Sequence, residues 1–146
     1  MDEVYEVTLI GEKQVEVQLL KGANVSAALL RYGQEAMDCV IHLTYGDRVL
    51  TGSARDFFDA LCEVRKELEK DDVFLNCYGG SLNVFPSGMG RDMGLGLKPY
   101  RMTLGQHTQR EDLVGLFETG ADVQPATVQA QYEYFQAWLS TPRQGM

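Results

Sequence analysis

Residues 84–100 hold the side chains whose types and spacing most invite a chemical reading: four glycines, two prolines, Met89 and Met93, and the charged Arg91, Asp92 and Lys98. A glycine-rich stretch can cradle phosphate, because backbone N–H groups approach an anion closely where no Cβ intervenes. The spacing argues against that use. In Gly88-Met89-Gly90-Arg91-Asp92-Met93-Gly94 the third glycine falls one position too late for the dinucleotide fingerprint, and no Gly-Lys-Ser or Gly-Lys-Thr is present for a Walker-type loop. The stretch is expected to be a loop between two strands. On it Arg91, Asp92 and Lys98 either brace one another or hold an anion, and Met89 and Met93 offer an adaptable contact surface or fold back onto the sheet.

Other reactive side chains are few. Cys77, Ser87, His42 and His107 are the material for nucleophilic catalysis, but Cys77 sits in a strand-like pattern and His107 in a polar loop with no nucleophile beside it. Asp71-Asp72 and Glu111-Asp112 lie at element boundaries, where acids serve caps and turns. Neither the two histidines nor Cys39, Cys62 and Cys77, which lack a C-x-x-C spacing, form a metal-ligand pattern. No catalytic residue, metal or cofactor is assigned.

The charge balance narrows the partners. A net charge of -8 disfavours nucleic acid, which calls for a basic stripe, and suits a basic protein. Between 104 and 139 the acids Glu111, Asp112, Glu118, Asp122 and Glu133 face a single base, Arg110, and are interleaved with Phe117, Tyr132, Tyr134, Phe135 and Trp138. Acids steer a basic partner and rings anchor it. No apolar run approaches the roughly 20 residues of a membrane span, and the acidic start lacks a signal-peptide core, so the expected compartment is the cytoplasm.

The elements that must position these residues follow from periodicity. Residues 4–10 and 13–20 alternate about Gly11-Glu12 and predict a hairpin; Asn24 precedes a short helix at 25–30 ending near Gly33. Residues 39–44 and 48–51 predict a second hairpin about Tyr45-Gly46-Asp47. Ser53 is expected to cap a helix over 54–70, whose stripe is Phe57, Leu61, Val64 and Leu68. Strands are expected at 73–77, 81–85, 99–104 and 111–118, and a last helix at 125–140 with Val128, Tyr132, Phe135 and Leu139 as its main stripe. Tyr134 and Trp138 form a second stripe that suits a partner or a homodimer. The sum is one α+β domain over 1–146: an antiparallel sheet of hairpins and a meander with two main helices packed on it.

The residues Asn83-Val84-Phe85-Pro86-Ser87-Gly88-Met89 and Arg91-Asp92-Met93-Gly94 are similar to a motif in small uncharacterised bacterial proteins. In size and acidity the chain resembles the immunity proteins of bacterial toxin systems, which block a toxin by binding it. The resemblance implies a non-enzymatic binding protein, immune or regulatory, that takes a basic protein partner. The residues themselves, rather than the resemblance, supply the contact set: Met89, Arg91, Asp92, Met93 and Lys98 on the glycine-rich stretch, and Tyr134 and Trp138 on the last helix. The alternative is a small enzyme or ligand-binding domain with a site where the loop meets His107 and Cys77.

Overall fold

A computed structural model describes residues 9–144 of the chain. Four long strands come first: β1 (Ile10–Lys21), β2 (Asn24–Glu35), β3 (Asp38–Tyr45) and β4 (Arg48–Ala54). Each pairs antiparallel with the next, and each connection is a two-residue loop closed by Lys21↔Asn24, Glu35↔Asp38 or Tyr45↔Arg48. The first residue of every loop, Gly22, Ala36 or Gly46, has a positive φ, as a tight hairpin turn requires. Helix α1 (Phe57–Glu69) then crosses the sheet, and β5 (Phe74–Leu75) pairs with β1, giving the order β4-β3-β2-β1-β5.

The second half is a two-stranded piece, β6 (Val84–Phe85) with β7 (Tyr100–Arg101), and between them α2 (Gly88–Gly94). Helix α3 (Val128–Ser140) closes the fold. The chain is α+β. Its core lies between the inner sheet face (Val17, Leu19, Leu30, Ile41, Leu43) and α1 (Phe57, Phe58, Leu61, Val64, Leu68).

Several expectations are corrected. Residues 25–30 are not helical but belong to β2, where Ala28 and Leu30 turn inward and Val25, Ala27 and Leu29 outward. Apolar residues on both faces hide the alternation that marks a strand. Gly11-Glu12 is not a turn: Gly11 and Glu12 together oppose Gly33, a bulge inside β1 with Gly11 at φ +65°. Residues 4–8 of the proposed first strand lie outside the described residues. Ser53 lies in β4, and Asp56 caps α1 instead, its carboxylate accepting from Asp59 N at 2.7 Å. The strands expected at 73–77, 81–85 and 99–104 shrink to β5, β6 and β7. Residues 111–118 form no strand; a 3-10 turn at Arg110–Asp112 leads into irregular extended chain held by Val114 N to Pro99 O and Leu116 N to Leu97 O.

The last helix begins at Val128, capped by Thr127, not at Pro125. Its buried side is Gln131 and Trp138, with Tyr134 and Phe135 half-buried, while Tyr132 and Leu139 of the expected main stripe stay exposed. Gln131 sets this rotation. Its amide donates to the carbonyls of Gly79, Ser81 and Val84 and accepts from Arg65, so a polar side chain takes the innermost place.

Candidate functional site

The glycine-rich stretch is a helix rather than a loop. Ser87 Oγ accepts from Gly90 N at 2.9 Å, and Met89, Arg91, Asp92 and Met93 have no objection to helical backbone. The helix ends where Leu95 and Gly96 turn left-handed, at φ +55° and +75°, and Gly96 N bonds back to Gly90 O. That exit lies against the start of α1, whose first amide, Phe57 N, donates to Leu95 O at 2.7 Å.

Arg91 fastens the inner side of α2. Its Nη1 stands 2.8 Å from Asp56 Oδ2 and 2.9 Å from Asp59 Oδ1, and its guanidinium lies over the rings of Phe58 and Phe85. Burial works against that charge, but the hydrogen bonds to Asp56 and Asp59 outweigh it, and the guanidinium holds its proton more firmly than a free one. Two acids three positions apart on the first turn of α1 thus grip one arginine on α2. Their spacing of three marks the start of α1 in the sequence, but not the arginine they meet.

The outer side of α2 carries Met89 and Met93, one helical turn apart and 72% and 82% exposed. Together with Lys98, Tyr100 and Leu113 they line a shallow cleft of about 310 Å³. Tyr100 and Leu113 were not picked out from the sequence, because what brings them here is the long-range bridge between them. Asp92 is exposed on the opposite flank, where it lines a cleft of about 460 Å³ with Arg55, Asp56, Asp59 and Arg91.

Tyr134 and Trp138 do not join this surface. Trp138 is 8% exposed and donates to Gln106 O, with Arg143 stacked 3.9 Å above its ring; Tyr134 donates its hydroxyl to Met102 O. Cys77 is sealed in the core and burial pushes its thiol up, so it cannot serve as a thiolate; His107 is exposed elsewhere, and none of the clefts described here is lined by both.

A further cleft of about 460 Å³ runs between α1 and α3, floored by Phe58 and Phe85 and walled by Tyr132, Cys62, Asp59 and Glu63. Burial pushes the Cys62 thiol up to about 11, so it too is a protonated thiol at neutral pH. Among the described residues no three His, Cys, Asp or Glu side chains gather as metal ligands, and no described helix is long and apolar enough to cross a membrane. No protein-family model matches the chain, and no curated protein matches it in sequence.

Proposed function

We propose that this chain is a non-enzymatic binding protein, immune or regulatory in role, that engages a basic protein through the outer side of α2. One observation carries the reading: Met89 and Met93 are exposed on a helix that Arg91 and the Leu95 carbonyl pin to α1. A fixed helical support spares the backbone its ordering cost on docking, exposed apolar side chains gain by leaving water, and methionine adapts its shape to the surface it meets. The net charge of -8 steers a basic partner towards it. The free thiols of Cys39, Cys62 and Cys77 suit the reducing cytoplasm.

The test is affinity capture from the cell that makes the protein, with the wild type and with Met89→Asp/Met93→Asp as baits. The wild type should retain a basic protein, and the variant should bind it at least about a hundredfold less tightly, as expected for removing a central apolar contact. Both substituted positions are exposed, so the unfolding free energy measured in urea should change by no more than about 0.5 kcal/mol. Capture of the same protein equally well by both baits, or of none by the wild type, would sink the reading.

A further inference from the structure

The five-stranded sheet treats its two borders differently. Beyond its short pairing with β5, β1 has an open side, but that side is guarded by the bulge at Gly11 and by Lys13 and Glu16. Residues 97–98 and 115–119 also face it across a cleft of about 630 Å³. At the other border β4 keeps an unbroken register with β3 from Cys39↔Ala54 to Tyr45↔Arg48. Between Val49 and Ser53 it carries no charge, no proline and no bulge.

The free groups of β4 can be named. Because Tyr45↔Arg48 closes a two-residue loop, that pair exchanges hydrogen bonds, and alternation sends the N–H and C=O of Val49, Thr51 and Ser53 away from β3. No backbone group of the described residues bonds them on that side. Backbone groups left this way are a template for another strand.

We infer that β4 pairs with β4 of a second copy of this chain, antiparallel about a two-fold axis at Thr51. Only this register overlaps the whole strand. It sets Thr51 opposite Thr51 and Val49 opposite Ser53, so that every outward N–H meets an outward C=O. The strand's ends supply the reason for a second copy rather than a foreign strand. In this register Asp47 of each copy falls opposite Arg55 of the other, and both are exposed with no ion-pair partner among the described residues. The segment is complementary to itself reversed, as a two-fold interface requires.

Sedimentation equilibrium of the full chain over about 1–100 µM decides the matter. The expected mass is twice 16.3 kDa. Thr51→Pro removes a central outward N–H and leaves the backbone bonds to β3 in place, giving up only the exposed hydrogen bond between Thr51 Oγ1 and His42 Nδ1, and should give a monomer that is still folded by circular dichroism. Asp47→Arg should weaken the dimer about tenfold through its two symmetric contacts, and Asp47→Arg/Arg55→Asp should restore it to within about threefold. If the proline variant fails to fold, the charge swap decides alone. A 16.3 kDa species at every concentration overturns the proposal. So does a dimer indifferent to the Asp47 and Arg55 changes, or one broken by Met89→Asp/Met93→Asp instead.

Discussion

Arg65 brings a full charge into the interior with no carboxylate in ion-pair reach among the described residues. Its guanidinium is satisfied by carbonyl oxygens instead: Nη1 donates to Gly79 O and Gln131 Oε1, and Nη2 to Ala126 O. One side chain thus ties α1 to the 78–80 turn, to the approach to α3 and to α3 itself. Replacing it by methionine keeps the volume but leaves Gln131 Oε1 and Ala126 O without their donor, while Gly79 O keeps the bond from Gln131. The expected loss is about 3 kcal/mol in urea unfolding, and lysine, lacking the planar fork, should recover only part of it. Cys62 makes the opposite demand. Its folded thiol titrates near 11 because burial penalises the thiolate, whereas an unfolded thiol ionises at about 8.5–9. Below about pH 8 both states hold the proton and the difference is silent; as pH rises through 9 towards 11 the unfolded state ionises first and stability falls. Wild type should therefore lose on the order of 2 kcal/mol more than Cys62→Ala between pH 8 and 11. Equal losses would mean that the cleft is wetter around Cys62 than its burial implies.

The elements differ in how far local sequence could announce them. Strand β4 and helix α1 were legible because each has one polar face, so the apolar period is 2 or 3.6, whereas β3, buried on both faces at Cys39-Val40-Ile41, was legible from its β-branched apolar run ahead of the Tyr45-Gly46-Asp47 turn. Strand β2 lacked that contrast, and its Val25-Ser26-Ala27-Ala28-Leu29-Leu30 run suits a helix as well until β1 and β3 bracket it. Helix α2 was concealed by its glycines. What makes it a helix is the local Ser87 cap and, above all, the grip of Asp56 and Asp59 on Arg91, made at a separation no local pattern reveals. The direction in which Met89 and Met93 point follows from that grip. The seam between α2 and α1 also rests on Gly96, where an added Cβ would stand 3.0 Å from Phe58 N and 3.1 Å from Asp56 Oδ1, at a φ of +75°. Gly96→Ala should cost about 2 kcal/mol, by left-handed strain plus crowding of the α1 cap. The same change at Gly94, where a Cβ meets nothing within 4 Å, should be neutral or stabilise by up to about 0.5 kcal/mol. Thermal unfolding of the two variants side by side separates crowding from the mere loss of a glycine.

Across the whole molecule, topology was legible at the β3–β4 hairpin and no further. The first four strands follow one another in space as in sequence, but β5 joins the far border beside β1. Helix α1 accounts for that jump. Its 13 residues, at 1.5 Å rise, span about 20 Å, close to the four strand spacings of about 4.8 Å from β4 to β5. The helix carries the chain across the inner face while covering it. This order has a consequence for biosynthesis. The meander is complete in sequence at Ala54, so from the moment that residue leaves the ribosome until α1 has followed it, Leu30, Ile41 and Leu43 have no helix to cover them and the side of β4 away from β3 has no partner. At roughly 5–20 residues per second, the wait until residue 69 is about one to three seconds. During that interval the sheet depends on the ribosome's spacing and on chaperones, and translation speed through residues 55–69 sets how long it is at risk.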